Sequence, residues 1–148
     1  MADQLLNEGI TQQVKQAFEQ LQEPVQVLFF GKKSGCEYCG DTHQLVEEVV
    51  GLSDKLSLRV YDLDDDAAVA KEYKIDKAPS LVIAGGDGAQ ALDYGVRIAG
   101  IPAGHEFTSL IHDLLLVSGR DSGLAESTRQ FLDGLTQPVH LQVFVTPT

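Results

Sequence analysis

The sequence predicts an α/β fold in which a four-stranded mixed sheet carries helices on both faces, followed by the start of a second unit of the same kind. Three observations carry this prediction. Val25–Phe30 and Ser80–Ala84 are short, almost wholly apolar runs, as expected for strands covered on both faces. The segments around them space their apolar residues at helical intervals. Gly85-Gly86-Asp87-Gly88 is a strong turn signal, so the residues after it return antiparallel.

In chain order, Val14, Ala17, Phe18 and Leu21 recur at i, i+3, i+4 and i+7, which predicts an amphipathic helix over 11–22, stopped by Pro24. The strand Val25–Phe30 follows, then a polar break from Gly31 to Gly35. From Cys36 onward, Leu45, Val46, Val49 and Val50 trace the stripe of a second helix that closes near Gly51. Leu56, Leu58 and Val60 alternate with Ser57, Arg59 and Tyr61, a strand pattern. The acidic run Asp62–Asp66 is placed to cap and charge-stabilise a helix over Ala67–Tyr73. Pro79 introduces the strand Ser80–Ala84, and Ala91–Ile98 pairs back against it. Phe107, Leu110, Ile111, Leu114 and Val117 mark a helix from His105 to Val117. The first β-α-β unit crosses over right-handed, which makes its strands parallel, and the hairpin adds an antiparallel edge.

Composition narrows the function. The chain has 148 residues, 43% hydrophobic and 22% charged, with 11 basic against 22 acidic side chains and a net charge of −11. Such a surface repels phosphate backbones and anionic lipid, so neither nucleic acid nor a membrane is expected as a partner. No apolar stretch approaches the roughly 20 residues of a bilayer span. Met1-Ala2-Asp3-Gln4 lacks the basic start and apolar core of a secretory signal, so the expected address is cytoplasmic.

The two cysteines stand three positions apart, in Gly35-Cys36-Glu37-Tyr38-Cys39. A bridge between them closes almost no loop, so the pair reads as chemical rather than architectural. It lies between a buried strand and a helix start, where unpaired N–H groups and the helix dipole favour a thiolate. Cys36, placed at the cap, is expected to attack a substrate disulfide, and Cys39, one turn deeper and shielded, to resolve the mixed disulfide. Lys32 and Lys33 are expected to support the thiolate and Glu37 to oppose it, with Tyr38 a further modulating residue inside the loop. A metal site would need a fourth ligand besides Cys36, Cys39 and His43. His105, His112, His140 and the carboxylates show no recognisable ligand spacing, and no metal or other cofactor is expected. His43 itself reads as a solvated helix residue.

In Lys77-Ala78-Pro79-Ser80, a proline opens a core strand, where it removes a ladder donor. A cis bond there would turn the Ala78 backbone outward beside the cysteines, so that Ala78, Pro79 and Ser80 receive an extended substrate segment as an added strand.

Past Gly119 the chain echoes its own start. Lys15-Gln16, Leu21, Gln22-Glu23-Pro24-Val25 and Phe30 are matched, at one constant offset, by Arg129-Gln130, Leu135, Thr136-Gln137-Pro138-Val139 and Phe144. Residues 1–118 are therefore expected to form one unit, and residues 119–148 a helix and strand opening a second.

These motifs together resemble the thioredoxin and glutaredoxin superfamily, and more narrowly the first unit of the glutaredoxin-like protein disulfide oxidoreductases. The segments that carry the resemblance are Phe29-Phe30-Gly31, Cys36-Glu37-Tyr38-Cys39, Ala78-Pro79-Ser80, Gly100–Phe107 and Val143–Thr148. It implies a thioredoxin-like fold, two such folds in tandem, protein disulfides as substrates and a reductase as electron donor. Gly104-His105-Glu106-Phe107 also resembles the N-terminal domain of the flavoprotein subunit of alkyl hydroperoxide reductase. There the residue matching Glu106 faces the second unit's cysteines, so Glu106 is a candidate modulating residue. One departure stands out: thioredoxins keep a buried aspartate as proton carrier six residues before the first cysteine, and here that position is Phe30. Two other readings stay open, a docking half whose main active site lies in the second unit and a metal-binding module.

Overall fold

The computed structural model describes residues 3–146. Met1 and Ala2, read above for the missing signal, and Pro147 and Thr148, which end the last matched segment, lie outside the described residues. The elements run α1 (Glu8–Phe18), β1 (Val25–Gly31), α2 (Cys39–Val50), β2 (Leu56–Asp62), α3 (Ala67–Glu72), β3 (Ser80–Gly85), β4 (Leu92–Ala99), α4 (His105–Gly119) and α5 (Glu126–Asp133). The sheet order is β2-β1-β3-β4, with β1 parallel to β2 and antiparallel to β3, and β3 antiparallel to β4. The mixed sheet thus has the composition and pairing that the sequence predicts.

β1 is buried along its whole length because it is central and covered on both sides. Its alternation divides the core into two. Val25, Val27 and Phe29 face the larger cluster, built with Val14 and Phe18 of α1, Leu45, Val46 and Val49 of α2, and Leu110, Leu114 and Val117 of α4. Leu28 and Phe30 face the smaller one, with Ala70 of α3 and Val82 and Ala84 of β3. Helices therefore lie on both faces of the sheet.

Several boundaries differ from the sequence reading. α1 starts at Glu8 rather than residue 11, because Asn7 caps it by accepting the Ile10 N–H at 2.9 Å. It ends at Phe18, where the N–H groups of Glu19, Gln20 and Leu21 turn to carbonyls three residues back, and the helix tightens and stops well before Pro24. The acidic run does not cap α3. The Asp66 carboxylate accepts the N–H of Asp62 at 2.8 Å, and that of Asp62 accepts N–H groups from Asp64, Asp65 and Lys33. The carboxylates fold the loop back on β2 instead of serving the helix.

The C-terminal segment also departs. α5 forms, yet none of its residues is buried. Val139–Val145, expected as a strand, forms none, and its valines, Leu141 and Phe144 are 63–89% exposed. A strand exists only against a ladder partner, and among the described residues nothing beyond α4 offers a second sheet.

Candidate functional site

Cys36 and Cys39 are joined as a disulfide, with their Cα atoms 5.5 Å apart. The bridge sits where β1 hands the chain to α2. Gly35, at φ +72°, adopts a left-handed conformation that turns the loop toward the helix. α2 begins at Cys39, with Tyr38 at the N-cap, so Cys36 precedes the cap rather than occupying it. Tyr38 lacks a capping side-chain oxygen. Its carbonyl instead takes both the N–H and the hydroxyl of Thr42, at 3.0 and 2.6 Å, and this sets the first turn. Among the described residues no side chain caps the leading N–H groups of α2. They remain available to a charge on Cys36, whose sulfur is held against the first helical residue by the bridge.

The two sulfurs differ in access. Cys39 is 8% exposed and belongs to the main core, whereas Cys36 is half-buried and only borders it. Glu37 and Tyr38 between them are exposed. Against the glycine at the end of β1 the packing is tight: Cys39 Sγ lies 3.7 Å from the point that a Cβ on Gly31 would occupy, and the Phe29 ring edge lies 2.7 Å from the same point.

The lysines expected to support a thiolate are engaged elsewhere. Lys33 pairs with Asp65, and that bond raises the Lys33 pKa, while Lys32 lies 3.5 Å from Asp64. Both ammonium groups are drawn to the acidic loop after β2, because that loop packs beside the one carrying the cysteines. Leu63 donates its N–H to the Gly31 carbonyl at 3.0 Å, and Lys33 donates its own to Asp62 at 2.9 Å. Sequence reasoning missed this clasp. Its signal was the facing of Lys32-Lys33 and Asp62–Asp66 across parallel strands of matched length.

Pro79 stands at the same end of the sheet. Ser80 is paired with Phe30, so Pro79, one residue earlier in an antiparallel strand, lies level with Gly31 and the start of the cysteine loop. The Ala78–Pro79 bond is cis. Pro79 is buried, its carbonyl accepts the Gly100 N–H at 2.9 Å, and the Ser80 hydroxyl donates to the Lys77 carbonyl at 2.7 Å. Ala78 packs against the same core cluster as Cys36, and neither its N–H nor its carbonyl has a partner among the described residues. Glu106 lies exposed in the first turn of α4, at this end of the sheet, and is not bonded to the cysteine pair.

Phe30, at the position where thioredoxins keep an acid, is fully buried and stacked on Tyr61 at 5.2 Å between ring centroids. On the opposite face, Phe29 stacks on His43 of α2 at the same spacing. An open groove of about 410 Å³ runs past Phe29, Gly31, Cys39 and His43 to the acidic loop. Among the described residues no group of three or more His, Cys, Asp or Glu is arranged to hold a metal ion, and no helix is long and apolar enough to cross a membrane.

No protein-family profile matches the chain. Among curated proteins it is similar to the alkyl hydroperoxide reductase AhpF of Staphylococcus aureus, 28% identical over 144 residues, which is 97% of this chain and 25% of that protein. Among solved structures it resembles a protein disulfide oxidoreductase from Aeropyrum pernix, at TM-score 0.81 and 29% identity over 99% of this chain and 62% of that one. It also resembles the AhpF of Enterococcus faecalis, at TM-score 0.78 and 28% identity over 89% of this chain and 62% of that one. The chain thus spans a quarter of the curated relative and about three fifths of the solved ones.

Proposed function

From the premise that this chain has a thioredoxin-like fold and is homologous to protein disulfide oxidoreductases and to the N-terminal region of the alkyl hydroperoxide reductase AhpF, we propose that it is a thiol–disulfide oxidoreductase acting on protein disulfides through Cys36 and Cys39. The observation that carries the reading is the asymmetry of the bridge: Cys36 is half-buried ahead of α2, and Cys39 is buried in its first turn.

The chemistry follows from that asymmetry. In the dithiol form, the Cys36 thiolate attacks one sulfur of a substrate disulfide. The substrate S–S bond breaks, its electron pair leaves on the distal sulfur, and Cys36 is held in a mixed disulfide. Cys39 then loses its proton and attacks Cys36. The mixed bond breaks, the second substrate sulfur leaves as a thiolate, and the Cys36–Cys39 bridge re-forms. Two electrons have passed from the pair to the substrate. A thiol-based reductase closes the cycle, and a cytoplasmic address suits a pair that must be kept reduced.

Ala78, Pro79 and Ser80 are the substrate-side element in this reading. The free N–H and carbonyl of Ala78, at the strand end level with the cysteine loop, supply what an extended peptide needs to add as a short strand. Glu37, Tyr38 and Glu106, all exposed around the pair, modulate which segments approach. Residues 119–148 are assigned to the opening of a second unit, supported by the unburied α5 and the exposed apolar segment after it.

Insulin reduction with dithiothreitol as donor tests the reading. Turnover is expected for the chain, is lost in Cys36→Ser, and Cys39→Ser is expected to accumulate a mixed disulfide seen by intact mass. Absence of both turnover and trapped adduct would favour the docking-half reading over the enzyme.

A further inference from the structure

We propose that His43 carries the proton of the Cys39 thiol while the mixed disulfide is resolved, a role that rests on the redox reading above. The need is physical. Cys39 is buried in the apolar core, where a thiol resists ionisation, yet only its thiolate attacks. Phe30 cannot serve, because it has no group that takes or gives a proton, and strand alternation turns it into the other cluster, against Tyr61 and Tyr73.

The groove beside Cys39 presents few other groups able to take a proton. Asp62 is committed to three backbone N–H groups, which hold its carboxyl below the usual range. Asp65 is bound to Lys33, Asp66 to the Asp62 N–H, and Lys32 lies beside Asp64. Lys33 is kept protonated by Asp65, and Tyr61 is stacked on Phe30. The remaining side chain is His43.

Its placement fits the task. His43 follows Cys39 by four residues on α2, which puts both on one helix face. The Phe29 ring fixes the imidazole plane, at 5.2 Å and 21°, while the edge of that ring and the Cys39 sulfur meet over Gly31. Both residues line the open groove of about 410 Å³, which has room for waters that could link imidazole to sulfur. The Glu47 carboxylate lies 3.9 Å from Nε2, and a neutral imidazole keeps one ring nitrogen as a proton acceptor. In the resolving step, then, the Cys39 proton passes to His43 through this water. The sulfur attacks Cys36, the bond from Cys36 to the substrate breaks, and the departing thiolate is protonated by the imidazolium or by solvent.

Stopped-flow reaction of the reduced chain with 5,5′-dithiobis(2-nitrobenzoate) separates the steps. One thionitrobenzoate leaves when Cys36 attacks, and a second when Cys39 resolves. In His43→Phe, which keeps a ring against Phe29, the first phase is expected to persist. The second should slow about 100-fold near neutrality, the usual scale of a lost acid–base group. The deficit should shrink as pH rises and Cys39 ionises unaided. His43→Gln, which preserves polarity without a proton carrier, should match it, and added imidazole should accelerate the second phase of His43→Ala. A second phase unchanged in both His43→Phe and His43→Gln, or slowed equally at every pH, would overturn the proposal and leave the redox reading intact. Absence of the first phase in the unsubstituted chain would overturn both.

Discussion

The carboxylate of Asp62 accepts the backbone N–H of Lys33 at 2.9 Å, and through that bond the last residue of β2 holds the loop that delivers Cys36. The other carboxylate oxygen takes the N–H groups of Asp64 and Asp65, so one side chain ties two loops together. Asp62→Ala is expected to leave the chain folded while the Lys33 amide exchanges several-fold faster and Cys36 alkylation becomes less uniform. Amide hydrogen exchange followed by NMR checks this, and an unchanged Lys33 rate would remove Asp62 from the positioning of the site.

A second carboxylate makes the N-terminal segment pH-dependent. Glu48 of α2 accepts the N–H groups of Leu5 and Leu6 at 2.9 Å each, which seats Leu6 in the main core. Burial pushes its pKa up, but the donors from Leu5, Gln44 and Leu6 outweigh burial and leave it lowered. A pKa lowered by folding stabilises the native state wherever the group is ionised in both states, here above the ordinary carboxylate value of about 4. That contribution disappears as pH falls through the lowered value. Limited proteolysis should therefore cut the segment before α1 faster as pH drops below about 4, and Glu48→Gln should cut fast already at neutrality. Equal cutting of both chains at pH 7 would show that Glu48 does not hold the segment.

How much of this is legible in the sequence depends on whether the relevant partner is local. β1 and the cysteine pair are readable because an apolar run and a Cys-Glu-Tyr-Cys spacing carry their meaning within a few residues. α2 starts three residues later than the sequence suggests, since Tyr38 is not a capping type and the turn depends on Gly35 and Thr42. The acidic run reads as a helix cap because the N–H groups that Asp62 and Asp66 accept are paired by loop geometry rather than by helix position. Val139–Val145 has the composition of a strand but no ladder partner among the described residues, and composition alone cannot supply one. His43 looks like a solvated helix residue in the sequence because its partner, Phe29, comes from a different element.

A buried hydroxyl that the sequence does not single out joins the end of α4 to the start of β1. Ser118 is fully buried, donates to the Glu23 carbonyl at 2.7 Å and accepts the Gln22 N–H at 2.8 Å. Ser118→Ala strips both backbone groups of their side-chain partner, in bonds that are part-buried because Gln22 and Glu23 are themselves exposed. Losing such hydrogen bonds costs about 1 kcal/mol, and that loss is expected in urea unfolding, with Cys36 reactivity unchanged. A stability within a few tenths of the parent would mean that the backbone re-pairs without the hydroxyl.

Gly31 has a more consequential neighbour. A methyl group there would stand 2.7 Å from Phe29 Cε1 and 3.0 Å from Cζ, closer than carbon atoms pack, so the ring must move. The ring is buried and stacked on His43, and it cannot swing out without disturbing that stack or pressing on Cys39. Overpacking of this kind costs about 1–3 kcal/mol, partly offset by the lower entropy of an unfolded chain with alanine in place of glycine. Gly31→Ala is therefore expected to lower stability and, by turning the imidazole, to slow the second thionitrobenzoate release more than the first. Phe29→Leu removes the ring edge that the methyl group strikes. In a double-mutant cycle, Gly31→Ala should cost less in the Phe29→Leu background than in the parent chain. Strict additivity would mean that the glycine is required for some reason other than the approach of this ring.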